Sequence, residues 1–156
     1  MRKLAAVLLL LCAFSVRSFT QVPEHDESRR HIDVPPPVFL GLIAYRDKGL
    51  DAAVQAWIKD SAIQEHNEPL PQVDALRQAS RYYGVYRNFE ILGSQDPSQR
   101  VRTVYLVMNY DRGPLFGRFL CYRSEDHGWV VLNFDFNVRP EVILPAANTP
   151  PSQPGD

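Results

Sequence analysis

The chain has 156 residues, with 17 basic and 18 acidic side chains for a net charge of −1, and 45% of it is apolar. That length supports one domain-sized core. The charge balance argues against a nucleic-acid or anionic-membrane partner, which demands a clustered excess of Arg and Lys.

The N-terminus opens Met1-Arg2-Lys3 and continues into an unbroken apolar run from Leu4 to Val16, with small residues at Ser15 and Ser18. A positive start, a short apolar segment and small residues near its end make an export signal over residues 1–20, and place the chain in a secreted or periplasmic setting. A membrane anchor is the rival reading. About 13 residues span only about 20 Å as a helix, short of the roughly 30 Å hydrocarbon core. Cleavage removes Arg2, Lys3 and Arg17 and no acid, leaving 14 basic against 18 acidic residues. It also removes Cys12, so Cys121 stands alone and no intramolecular disulfide forms. Residues 21–37 are polar, then proline-rich, and read as an extended linker.

A domain is expected over residues 38–144. Phe39, Leu42 and Ile43 have helical spacing before Asp47-Lys48-Gly49 interrupts, and Leu50, Val54, Trp57 and Ile58 share one face of a second helix. Pro71 suits the first turn of a third helix, with Val73, Leu76 and Tyr83 on one face and Gly84 as its cap. From Val85 the period changes to two. Runs over 85–92, 101–110, 115–124 and 129–138 are strands joined by turn-forming segments, among them a loop over 93–98. The fold class is α+β: two to three N-terminal helices packed on a curved, cone-like four-stranded antiparallel sheet. Residues 145–156 are Pro-rich and read as a disordered tail.

Four-residue connections set Tyr110 against Leu115 and Ser124 against Trp129. That register gathers Val104, Leu106, Met108, Tyr110, Leu115, Gly117, Phe119 and Cys121 with Val130, Leu132, Phe134, Phe136 and Val138 on a face for the helices. A left-handed Gly128 would shift the second pairing locally. The opposite face carries Tyr105, Val107, Phe116, Leu120, Tyr122, Trp129 and Val131, with Arg118 directly across from Asp135. An ion pair on a solvated sheet accounts for Arg118 and Asp135. So large an apolar patch calls for a cover. A second copy is the economical one, making Tyr105, Phe116, Arg118, Tyr122, Trp129 and Asp135 the homodimer candidates. The alternative cover is the N-terminal linker or the Pro-rich tail.

The stretch from Phe39 to Ala53 (FLGLIAYRDKGLDAA), with Gly84-Val85-Tyr86 before the first strand, resembles the opening of the nuclear-transport-factor-2-like superfamily within the cystatin-like folds. The resemblance implies a cone whose mouth holds a small-molecule pocket, and frequent dimerisation through the sheet. Few elements separate the third helix from the strands, so the implied pocket is shallow. Its polar lining would come from Tyr45, Trp57, Tyr83, Tyr110 and Cys121.

No Asp, Glu or His falls on the interior face, which leaves no acid–base group of the kind that works near neutral pH. Cys121 has no His beside it and reads as a small buried thiol. Glu65-His66, Asp126-His127 and the pair His25 and His31 lack a third ligand at metal-like spacing. The expectation is therefore no catalytic residue, no metal and no cofactor. The functional reading is an exported, non-catalytic binding or accessory module for an unknown small molecule or envelope protein. The alternative is a small lyase or isomerase, with Asp135, Arg118 and Tyr105 as its acting groups. A self-associating envelope protein is the third possibility.

Overall fold

The computed structural model describes residues 33–65 and 70–146, all within one compact unit. The expected export signal, most of the linker and nearly all of the C-terminal tail lie outside the described residues. The architecture is α+β: helices α1 (Pro36–Lys48), α2 (Leu50–Ile58), α3 (Ala62–Glu65) and α4 (Pro71–Tyr83) precede strands β1 (Tyr86–Ser98), β2 (Val101–Tyr110), β3 (Gly113–Ser124) and β4 (Gly128–Asn137). A short helix, α5 (Pro140–Ile143), follows. The strands form one antiparallel sheet in the order β1-β2-β3-β4. No helix among the described residues is long and apolar enough to cross a membrane.

Helix starts and stops follow local chemistry. Pro36, Pro71 and Pro140 open α1, α4 and α5, where the missing N–H is an orphan in any case. The expected linker over 21–37 is thus corrected at its end, because Pro36 begins α1 and Pro35 is fully buried. Gly84 ends α4 at φ 88°, its N–H bonding the Ser80 carbonyl. A β-carbon there would stand 2.7 Å from an Asp111 carboxylate oxygen.

The core lies between the helices and one sheet face. Val38, Leu42 and Tyr45 of α1, Ala53 and Trp57 of α2, and Leu76 and Ala79 of α4 meet Val104, Leu106, Met108, Tyr110, Leu115, Phe119, Cys121, Val131, Phe134 and Phe136. Trp57 is fully buried, with ring centroids 5.2 Å from Phe119 and 5.7 Å from Phe134, and its indole N–H donates to the Val38 carbonyl at 3.2 Å.

Register departs from expectation in three places. Tyr110 pairs with Gly113 rather than Leu115, across a two-residue turn. This slip is even, so every side chain of β2 and β3 keeps its expected face. Ser124 pairs with Gly128, which takes φ 69°, and β4 slips by one residue between Val131 and Asn133. The single-residue step reverses faces near the turn. Val131 belongs to the core and Trp129 packs against it, while Leu132, expected inside, is 43% exposed. Past the slip the expected pairing holds, with Arg118 opposite Asp135. Finally, 93–98 is not a loop. β1 runs on to Ser98 as an edge strand with irregular pairing around Leu92 and before Ser98, where Pro97 is tolerated.

The outer sheet face has a cover of its own. Ile143 and Leu144, at the end of α5, are buried against Tyr105 and Phe116.

Candidate functional site

Of the five residues expected to line a cone pocket, Tyr45, Trp57, Tyr110 and Cys121 are instead packed into the core. Trp57 fills the centre of the core with Phe119, Phe134 and Phe136. The Tyr45 hydroxyl bonds Ser80 Oγ at 2.9 Å and the Tyr110 hydroxyl at 3.2 Å, and its ring stacks on Tyr86 at 4.7 Å. Burial, reinforced by Tyr45, pushes the Tyr110 phenol well above its ordinary value. Burial also pushes the Cys121 thiol up to about 12, so it stays protonated near neutral pH and makes a poor nucleophile. Tyr83 packs elsewhere, its ring so close to Gly113 that a β-carbon there would meet Cδ1 at 2.8 Å. These five side chains do not share a cavity in the way the sequence suggested. None of them lines any of the three cavities described below.

The outer-face candidates are distributed as follows. Arg118 donates to Asp135 at 2.7 Å, and Asn133 reaches the same carboxylate oxygen at 3.5 Å. Neither Arg118 nor Asp135 lines a described cavity. Tyr105 is buried beneath α5 and donates to Gln95. Phe116 is half-buried beside it. The Tyr122 hydroxyl accepts from Arg100 at 3.5 Å. Trp129 lies under the guanidinium of Arg102, 5.3 Å from its ring centre. Arg102 is itself held by Asp96 and by Asp33. Among the described residues, no group of three His, Cys, Asp or Glu side chains is placed to hold a metal ion.

The open apolar surface lies elsewhere, between α1 and β1. One lobe of about 540 Å³ is lined by Val34, Pro36, Phe39, Leu40, Phe89 and Ile91, with Asp33 at its margin. A second lobe of about 320 Å³ continues past Phe39 and Phe89 to Ile43, Arg46, Tyr86 and Asn88. The rings of Phe39 and Phe89 meet edge to face at 5.9 Å and form a wall common to both lobes. Phe39 is 46% and Leu40 58% exposed, and together with Phe89 and Ile91 they make a contiguous apolar surface of the kind that a partner covers. The Tyr86 hydroxyl is buried and has no hydrogen-bond partner among the described residues. Its phenol is pushed above the ordinary value by burial, against the opposing pull of the Arg46 charge.

Sequence reasoning missed this groove although its signal was present. Val38-Phe39-Leu40 and Leu42-Ile43 place apolar groups around more than one side of α1. Only Val38, Leu42 and Tyr45, with Gly41, are needed on the buried side. A helix apolar beyond its core stripe has a second surface to satisfy.

A third cavity, of about 380 Å³ between α2 and α4, is bordered by Asp51, Asp74 and Arg77. Arg77 is paired with Asp74 at 3.0 Å, so its charged groups largely satisfy one another. Comparison with protein-family models, curated proteins and solved structures finds no match to this chain.

Proposed function

We propose that the chain is an exported, non-catalytic binding module whose ligand lies in the α1–β1 groove. The observation that carries this reading is the Phe39–Phe89 wall. It is a two-lobed apolar surface left open beside a core that is otherwise filled. Binding sites are concave and largely apolar, with a few placed polar groups, and the groove has that composition. The export setting rests on the apolar N-terminal run of the sequence.

Membership of the nuclear-transport-factor-2-like superfamily is part of the proposal. It is supported by the order of helices before an antiparallel sheet and by the Phe39–Ala53 stretch. The site moves from the cone interior to its flank, because Trp57 and the tyrosines occupy the interior. The lyase or isomerase alternative draws no support from Asp135, whose carboxylate is bound by Arg118 and lines no described cavity. Self-association through the outer face is disfavoured by the α5 cover over Tyr105 and Phe116.

Titration with an environment-sensitive apolar dye tests the reading. Saturable binding that Leu40→Asp abolishes, at unchanged thermal stability, supports it. Binding indifferent to Leu40→Asp counts against it.

A further inference from the structure

The two lobes of the groove differ in chemistry, and the difference specifies a ligand class. Beyond Phe39 and Phe89, the second lobe is bordered by two groups able to donate, Arg46 and Tyr86. Asp47 takes Nε and Nη2 of Arg46, and Nη1 donates to nothing among the described residues. Asn88 borders the lobe, but its side chain accepts from Asn109 on the opposite face of the sheet and offers the lobe no donor. The buried Tyr86 hydroxyl is unpartnered among the described residues. A buried polar group without a partner carries a desolvation cost that a bound acceptor would relieve.

The first lobe is apolar, and its one charged neighbour, Asp33, is an acid already paired with Arg102. A hydrogen-bond-accepting ligand group therefore finds free donors, among the described residues, only at the other end, at Nη1 of Arg46 and the Tyr86 hydroxyl. From Pro36 to Arg46 the helix rises about 15 Å at 1.5 Å per residue. An extended saturated chain with bonds near 1.5 Å covers that distance with about twelve carbons.

Resting on the groove reading above, we infer that the ligand is a single-chain amphiphile with an anionic, hydrogen-bond-accepting head, of the fatty-acid carboxylate class. Its head lies at Arg46 and Tyr86, and its tail runs past Phe39 and Phe89 toward Leu40 and Ile91.

Calorimetric titration of the purified protein with monomeric dodecanoate, 1-dodecanol and dodecyltrimethylammonium tests this. Saturable binding of dodecanoate at one per chain is expected, at least tenfold tighter than either other probe. Arg46→Ala and Tyr86→Phe should each weaken dodecanoate roughly tenfold, as loss of a hydrogen bond to a charged group does. Both should leave dodecanol binding unchanged. Tyr86→Phe keeps the ring and removes a hydroxyl that has no partner among the described residues, so its melting temperature should match or exceed that of the parent.

Equal binding of dodecanoate and dodecanol, insensitive to Arg46→Ala but abolished by Leu40→Glu, overturns the anionic class and leaves the groove reading standing. Absence of saturable binding by all three probes overturns both. Association with phosphatidylglycerol vesicles but not with monomeric dodecanoate overturns the proposal in favour of a membrane surface.

Discussion

The indole of Trp57 lies directly against the backbone of Gly41: a β-carbon at that glycine would stand 2.1 Å from Nε1. Three residues earlier on the same helix, the Val38 carbonyl accepts the indole N–H. The α1–α2 pair is therefore keyed by one aromatic ring, and Phe119, Phe134 and Phe136 close over it from the sheet.

Gly41→Ala should destabilise through overpacking, which costs about 1–3 kcal/mol where a core has no room. The upper end applies here, because a buried Trp57 has little space to retreat. Trp57→Ala should cost about 3–5 kcal/mol, as large-to-small aromatic changes do. Urea unfolding measures both. A neutral Gly41→Ala would mean that the two helices separate readily and that the ring is not their key.

The Cys121 thiol, raised to about 12 by burial, should be inert to Ellman's reagent in the native protein at pH 8. It should react fully once denaturant unfolds the chain. Rapid native labelling would contradict the buried placement of β3 against the helices.

Asp111 joins the end of α4 to the β2–β3 turn. Its carboxylate accepts from the Val85 N–H at 2.8 Å and from Arg87, while its own N–H bonds the Val85 carbonyl. The Val85 hydrogen bond first, and Arg87 second, hold its carboxyl below the ordinary 3.8. A carboxyl depressed in the folded state stabilises the fold above its unfolded value, and that contribution is lost as pH falls through the folded value. Asp111→Asn should therefore melt below the parent at pH 7, and the gap should close as pH falls from 3.8 through the folded value. A gap independent of pH would show that the charge at Asp111 does not stabilise the fold.

Ile143 anchors α5 over Tyr105 and Phe116. Ile143→Asp should uncover these rings and drive self-association in sedimentation experiments, because a bared aromatic patch is an interface in waiting. A parent protein that is already a dimer, and that Phe116→Asp converts to monomer, would contradict the role of α5 as the cover.

Much of this organisation was legible from the periods of the sequence. The alternation around Leu106, Met108, Leu115 and Phe119 identified the buried face even though the β2–β3 turn is two residues shorter than expected, since an even slip conserves faces. The odd step around Leu132 was legible only as the local shift that a left-handed Gly128 would bring; where it falls was not, and it moved Trp129 and Val131 to the core side. Alternating apolar residues of similar size do not mark which one is extruded. The four residues of α5 gave too short a pattern for a period, although Pro140 marks its start. The aromatic residues expected to line a pocket were correctly read as inward, but packing turned them into the filling. Periodicity locates a face and does not report whether the space beyond it is occupied. The groove escaped notice because α1 was read only for its core stripe, while Phe39, Leu40 and Ile43 carried a second surface.

The most direct test of a binding site between α1 and β1 is an amide-resolved NMR titration with dodecanoate below its micelle concentration. Saturating shifts confined to Phe39, Leu40, Arg46, Tyr86, Phe89 and Ile91 and their neighbours are predicted. Shifts centred on Trp57 and Cys121, on Asp51 and Arg77, or on the outer face around Arg118 and Asp135 would contradict the account, as would no saturating shift at all.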